Sequence, residues 1–187
     1  MTPRYTSVAI ALHWLIALAI LCNLALGLYM TGLPLSVGPI KLKLYAYHKW
    51  AGVSIFALVL LRVMWRLGHR PPAPPADTPA WQRRAATGAH LLLYLLTVAV
   101  PLTGWLFSSA KGFQTVVFGV WPIPDLLSKD PALAEILRGG HASLNYLMAA
   151  LVILHVAAAL KHHWIDRDSV LSSMLPLLRR RSPGATK

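Results

Sequence analysis

GHASLNYLMAALVILHVAAALKHH, residues 140–163, is an apolar stretch with no charged residue before Lys161. A helix needs about 20 such residues to cross a hydrocarbon core of roughly 30 Å, so this stretch is long enough to span a membrane. It nevertheless contains His141 and His155. Ionisable side chains are costly inside a bilayer, so each of these histidines is a candidate functional residue.

Three further stretches of this kind predict an all-α integral membrane protein with a four-helix transmembrane bundle. The chain has 187 residues, 56% of them hydrophobic and 13% charged, against roughly 45–50% and about 25% in globular domains. The second stretch is interrupted by Lys49, Arg62 and Arg66, which lie near its ends, where long basic side chains reach the interface. The predicted spans are residues 6–30, 44–67, 86–109 and 140–163, in a single domain over residues 1–187 with a cytoplasmic tail at 164–187.

The net charge of +12 is explained by membrane topology, and we expect no nucleic-acid partner. The basic residues lie in loops and tails between apolar stretches and form no stripe on a polar fold. Most of them fall on one side, which by the positive-inside rule is the cytoplasmic side and contains both termini. The basic residues of that side are Arg4, Arg62, Arg66, Arg70, Arg83, Arg84, Lys161, Arg167, Arg179, Arg180, Arg181 and Lys187.

The predicted helix directions place four histidines at two membrane depths. His141 and His155 are about 21 Å apart along one helix, at roughly 1.5 Å per residue, and nearly four turns separate them, so they point to similar sides. The second span places His48 near its outer end, level with His141. The first span places His13 in its inner part, level with His155. Each depth therefore holds one pair of histidines from two different helices.

Two facing imidazoles from different helices are what a six-coordinate haem requires. A zinc or di-iron site normally includes carboxylates or thiolates, and no Asp or Glu lies in a predicted span. The single cysteine, Cys22, excludes a C-x-x-C-H motif for covalent haem and a disulfide framework. We therefore predict noncovalent haem b at each depth, with His13 and His155 as iron ligands at the inner site and His48 and His141 at the outer site.

The remaining histidines leave alternatives open. His90 is level with His13 and is its rival as an inner ligand. His162 and His163 lie at the inner end of the fourth span. They are either interfacial residues with no special role or hydrogen-bond donors to a haem propionate or a quinone. His69 is interpreted as a loop residue. Three glycines in the predicted spans either leave room for the macrocycles or allow close packing of the helices. They are Gly27, Gly52 and Gly104.

The longest connection, residues 111–138, is predicted to lie on the outer surface. Its Trp121-Pro-Ile-Pro-Asp run indicates an irregular segment, and residues 131–137 are expected to begin the fourth helix. Basic residues outnumber acidic ones on this side, so a small anion approaching the outer site would meet a positive field. The alternative is that these side chains pair with propionates or lipid phosphates. The basic residues are Lys41, Lys43, Lys49, Lys111, Lys129 and Arg138.

Four segments together resemble the bacterial dihaem cytochrome b561 family, which is related to the cytochrome b subunits of nickel hydrogenases. They are RYTSVAIALHWLIALAI (4–20), HKWAGVSIFALVLLRVMWRL (48–67), HLLLYLLTVAVPLTGW (90–105) and LHVAAALKHHWIDRDSVLSSMLP (154–176). Where family members often have an Arg before the final Met-Leu-Pro, this chain has Ser172 and Ser173.

This resemblance implies two haems b with the ligand pairs named above, a bacterial inner-membrane location and ubiquinone as the lipid-side partner. It also implies electron transfer from an outer-face donor, and some members oxidise superoxide and reduce ubiquinone. The hydrogenase-type relatives suggest an alternative, a cytochrome b anchor that passes electrons from a partner dehydrogenase or hydrogenase to quinone. A non-redox membrane anchor or transporter is the alternative from another class.

Overall fold

Four long helices dominate the computed structural model, which describes residues 5–73, 75, 78–175 and 178. All four are long and apolar enough to cross a membrane, as predicted. The helices are α1 (Ser7–Gly32), α2 (Pro39–Gly68), α3 (Ala80–Lys111), α4 (Pro131–Lys161) and the short α5 (Val170–Met174). A 3-10 turn at Leu35–Val37 joins α1 to α2, and a π-helical turn at His162–Asp166 continues α4.

The helices extend beyond the predicted spans because capping and backbone hydrogen bonds continue where apolar sequence stops. Thr6 caps α1 by accepting a hydrogen bond from the Ala9 N–H at 3.2 Å. Asp130 caps α4 in the same way, and Pro131 occupies the first helical position as predicted. Most of the predicted cytoplasmic tail beyond Met174 lies outside the described residues, as does Arg4.

The bundle consists of two helix pairs, each with a small core of its own. One core contains Leu12 and Ile16 of α1 with Ile55 and Val59 of α2. The other core joins α3 and α4. Helix α2 also packs against α3, whereas α1 and α4 approach each other much less closely. Ile20 of α1 packs against both cores, so apolar contacts fill only part of the space between the α1–α2 pair and the α3–α4 pair.

The connection between α3 and α4 corrects one prediction, because part of the segment expected to be irregular is a small hairpin. Strand β1 (Val116–Val117) pairs antiparallel with β2 (Trp121–Pro122). Trp50 of α2 donates its indole N–H to the Val116 carbonyl at 2.6 Å, which attaches the hairpin to the bundle. Strands of two residues carry no alternating pattern, so sequence periodicity does not reveal them.

Lys49 also ties α2 to this connection. Its ammonium group donates to the Ser108 hydroxyl at 3.2 Å and to the carbonyls of Phe113 and Gln114 at 3.3 and 3.4 Å. The side chain therefore satisfies loop carbonyls beside the membrane-spanning region. This engagement reduces its availability to an approaching anion.

Candidate functional site

Four histidines meet across the space between the two helix pairs. His13 of α1 faces His155 of α4 with ring centroids 6.2 Å apart, and His48 of α2 faces His141 of α4 at the same 6.2 Å. The ring planes are steeply inclined in both pairs, at 71° and 86°. All four residues are half-buried. The structure thus brings together the same pairs that the depth argument predicts, while their role as ligands stays a prediction.

The separation within each pair suits two imidazoles on opposite sides of one metal ion. Metal–nitrogen bonds of about 2 Å place two opposed nitrogens roughly 4 Å apart. The centroids are 6.2 Å apart, which leaves about 1 Å between each nitrogen and the centre of its ring. This is the ordinary offset of a nitrogen atom from the centre of an imidazole ring. A direct hydrogen bond between the rings would bring them closer.

Two glycines make room for the rings of the His48–His141 pair. A Cβ atom at Gly104 would lie 3.0 Å from Cε1 of His141 and 3.3 Å from its Nδ1. A Cβ atom at Gly27 would lie 3.1 Å from Cε1 of His48. Any larger side chain on α1 or α3 would therefore displace an imidazole. Both glycines leave room for the histidine rings themselves, whereas the sequence predicted room for a macrocycle.

The hydrogen bonds of His141 define its tautomer. Its Nδ1 lies 3.0 Å from the Val100 carbonyl, which has no proton to give, so Nδ1 carries the proton and donates it. The Thr103 hydroxyl is 3.3 Å from the same nitrogen. The lone pair is left on Nε2, the nitrogen available to a metal ion.

Two buried polar atoms near His48 lack a hydrogen-bond partner among the described residues. They are Nδ1 of His48 itself and the side-chain oxygen of Asn23. The amide of Asn23 lies against Gly52, where a Cβ atom would be 3.9 Å away. Buried polar atoms are rarely left unsatisfied, so these two point to a polar or metal-bearing group that completes the site. The residues present therefore fit a b-type haem held by two imidazoles.

His90 packs against His155 of the His13–His155 pair at the same ring inclination but a shorter distance. Its ring centroid is 5.4 Å from that of His155, shorter than the 6.2 Å from His155 to His13. His90 is exposed, whereas His13 is half-buried. These differences favour His13 as the partner of His155 and place His90 beside the pair.

His162 and His163 do not join this group. His162 contacts Asp168 at 2.6 Å and Asp166 at 3.2 Å through Nδ1. Lys161 also pairs with Asp166 at 2.6 Å, so the cluster is a local ion network at the end of α4. Within the described chain, no ring contact or hydrogen bond joins His162 or His163 to His90.

Sequence reasoning missed the residues that support the histidines. Asn23 and Thr103 carry no motif of their own, although polar side chains in apolar spans are a usable signal. The sequence predicts an interfacial position for Arg62 but not its partners. Its Nε donates to the Tyr94 hydroxyl at 3.1 Å, and its Nη1 donates to the Ala9 carbonyl at 3.0 Å. Ala9 is one helical turn before His13, so this guanidinium lies close to the His13–His155 pair.

The fold and the histidine geometry define a class of protein: a four-helix membrane protein with two facing histidine pairs between its helix pairs. Residues 4–177 match the family described as prokaryotic cytochrome b561. The chain belongs to this family, and it is a membrane electron-transfer protein of cytochrome b561 type for which the family implies b-type haem.

Similar proteins cover almost the whole chain. Cytochrome b561 homolog 2 of Escherichia coli is 37% identical over 175 residues, 93% of each chain. Cytochrome b561 homolog 1 of the same organism is 29% identical over 92% of this chain and 97% of its own. A protein of Yersinia pestis called probable superoxide oxidase CybB is 29% identical over 96% of this chain and 99% of its own.

Proposed function

We propose that this chain binds two haems b and transfers electrons between a donor at its outer face and ubiquinone in the bacterial inner membrane. His13 and His155 are the proposed ligands on the side of the chain termini, and His48 and His141 are those on the hairpin side. The observation that carries the proposal is the equal 6.2 Å separation in two histidine pairs that bridge the helix pairs.

The roles of the chain's own residues follow from their contacts. When bound, haem with two imidazole ligands supplies a reversible one-electron iron couple and has no open position for substrate. Val100 and Thr103 hold the ring of His141, while Gly104 and Gly27 admit the two rings of the pair on the hairpin side. These contacts orient the nitrogens before a metal binds.

Superoxide is the proposed outer donor. The similarity to the Yersinia pestis protein supports this assignment. Among the outer lysines, Lys43 is exposed and makes no ion pair with a described residue, whereas Lys41 donates to the Leu33 carbonyl at 2.6 Å. Lys111 is partly exposed and lies 3.9 Å from Glu135. Lys43 and Lys111 are therefore among the charges available to attract a small anion.

The proposed quinone site lies on the side of the chain termini. His90 is the group that favours this position, because it is exposed and touches His155. His162 and His163 are the other candidate proton donors there. A variant lacking the imidazoles of all three residues should lose quinone turnover and keep both haems. Unchanged quinone turnover would place the site elsewhere.

Haem content tests the proposal directly. We expect two noncovalent haems per purified chain, measured by pyridine haemochrome and protein assay, with a low-spin reduced-minus-oxidised spectrum. His48→Ala or His141→Ala should remove one haem, and His13→Ala or His155→Ala should remove the other. His90→Ala is the matched control and should keep both. A fully loaded chain with one haem or none would contradict the proposal, and loss of a haem in His90→Ala alone would reassign that ligand.

A further inference from the structure

A cleft beyond the His13–His155 pair opens where the start of α1, the end of α2 and α3 meet. It is a narrow, partly open cleft with a volume of about 20 Å³, so a bound group would lie mostly at its mouth, beside the exposed Arg66. Two guanidinium groups and three aromatic rings contribute to its walls, and no carboxylate of the described residues does. The lining residues are Tyr5, Ala9, Arg62, Trp65, Arg66, His69, Pro71 and Tyr94.

The two arginines give the cleft a positive charge that no carboxylate of the described residues compensates. Arg62 and Arg66 are four residues apart on α2 and therefore share a face, with both guanidinium carbons near the Tyr94 ring at 5.9 and 5.5 Å. Neither forms an ion pair with any described carboxylate; the described acidic side chains in ion pairs contact Lys111, Arg138, Lys161 and His162 instead.

The other polar groups of the cleft do not supply the missing negative charge. Burial raises the pKa of the Tyr5 hydroxyl, although the charges of Arg66 and Arg62 act in the opposite direction. Tyr5 therefore remains a neutral phenol that can donate a hydrogen bond. The ring of His69 stacks on Trp65 at 4.0 Å, and its Nδ1 donates to the Trp65 carbonyl at 3.0 Å.

The cleft walls are held in place before any ligand arrives. Trp65 donates its indole N–H to the Thr6 hydroxyl at 2.9 Å, which links the end of α2 to the start of α1. Arg62 is held by Tyr94 and Ala9. Arg66 lies one turn farther from the histidines, is exposed, and has no hydrogen bond to a described residue, so its N–H groups are free at the end of the membrane span.

We propose that this cleft binds the phosphodiester group of an anionic phospholipid. Arginine N–H groups pair well with phosphate oxygens, and basic clefts between transmembrane helices recognise lipid headgroups. Trp65 and Tyr5 are amphipathic aromatic side chains of the kind found at headgroup level. The exposed position of Arg66 favours a lipid over a haem propionate, which would approach from the histidine side. The proposal does not depend on the electron donor or acceptor.

Native mass spectrometry of the haem-loaded protein tests the lipid site. Dioleoyl phosphatidylglycerol should bind more tightly than dioleoyl phosphatidylcholine, and inorganic phosphate should not displace it at equal concentration. Arg66→Gln should weaken phosphatidylglycerol binding about five- to tenfold. Arg84→Gln, which removes an exposed arginine outside the cleft, is the matched control and should bind as the wild type does. Equal binding by Arg66→Gln and the wild type would overturn the proposal.

Two further measurements keep the test decisive. A phosphatidylglycerol with a photoreactive headgroup should label residues 62–71 of the wild-type protein, so the site can be located even if Arg66→Gln folds poorly. Arg66→Lys should retain part of the preference for phosphatidylglycerol. Labelling elsewhere would refute the site. Loss of a haem or a shifted haem reduction potential in Arg66→Gln, with lipid binding unchanged, would assign the cleft to a propionate instead.

Discussion

Gly104 and Gly27 are the residues on which the positions of the hairpin-side imidazoles depend. Each lies where a Cβ atom would meet a histidine ring at 3.0–3.1 Å. At Gly104 the contacted ring is itself held in place, because Val100 accepts a hydrogen bond from His141. The backbone can relax little on a helix whose hydrogen bonds must all be satisfied within the membrane.

Gly104→Val should therefore reduce occupancy of the haem proposed at His48 and His141, while the other haem remains. Gly104→Ala should shift the spectrum or reduction potential of the same haem, because the ring must move by a few tenths of an ångström. Haem content and redox titration measure both effects. Gly88→Ala is the matched control on α3, since a Cβ atom there meets nothing within 4 Å. Equal effects at the two positions would refute a specific role for Gly104.

At the scale of elements, α2 depends on Lys49 for its attachment to the end of α3 and the hairpin connection. The ammonium group has three uncharged partners, and the neighbouring Trp50 adds a fourth hydrogen bond to the hairpin. Hydrogen bonds to a charged group are stronger than those between neutral groups. The structural role of Lys49 is thus distinct from electrostatic attraction of a substrate.

Lys49→Met should lower the free energy of unfolding by about 1–3 kcal/mol and increase protease cleavage in residues 112–130. Lys43→Met removes the same charge from an exposed position and should leave both measurements near wild type. Chemical denaturation in detergent and limited proteolysis provide the comparison. If both substitutions destabilise the protein equally, the effect comes from charge and not from the hydrogen bonds of Lys49.

At the scale of the whole molecule, the two helix pairs have separate cores, and the histidine pairs bridge them. Leu12 and Val59 belong to one core, and Leu96 and Met148 belong to the other. Many large apolar side chains point outward, among them Leu18 at 63% and Ile153 at 68% exposure, as expected for a lipid-facing surface. Bound groups between the pairs would therefore contribute much of the contact that holds them together.

The haem-free protein should unfold at a lower temperature than the loaded protein, because a ligand that binds only the folded state stabilises it. Hydrogen exchange should rise around His13 and His155 in the haem-free form. It should change less around Val59 and Val100, whose buried contacts lie mostly within a helix pair. Equal exchange in both forms would show that the helix pairs associate without haem.

Reduction of the haems by superoxide should slow as ionic strength rises if the outer surface attracts the anion. Surface fields change association rates by about 10- to 1000-fold. Neutralising Lys43 and Lys111 should slow stopped-flow reduction while both haems remain bound. Neutralising Arg83 and Arg84 at the opposite end is the matched control. A rate that changes neither with salt nor in the lysine variant would exclude electrostatic attraction. Failure of superoxide to reduce the haems would favour a protein partner as donor.

The amino-acid sequence by itself determined the four spans and the candidate histidines. Long charge-free windows are sufficient for the spans, because a bilayer admits only apolar helices of a given length. Helix rise and alternating direction place His141 and His155 at different depths and match them with His48 and His13. These arguments use distances along helices, which follow from residue number alone.

Only the tertiary structure decided which helices pack and which side chains support the histidines. The separate cores, the proton on Nδ1 of His141 and the cleft around Arg66 all depend on the rotation of neighbouring helices. The sequence shows the charges of Lys49 and Arg62 but not their partners, so it predicts only an interfacial position for each. Helix rotation is set by side-chain packing between residues far apart in the chain, and no local pattern encodes it.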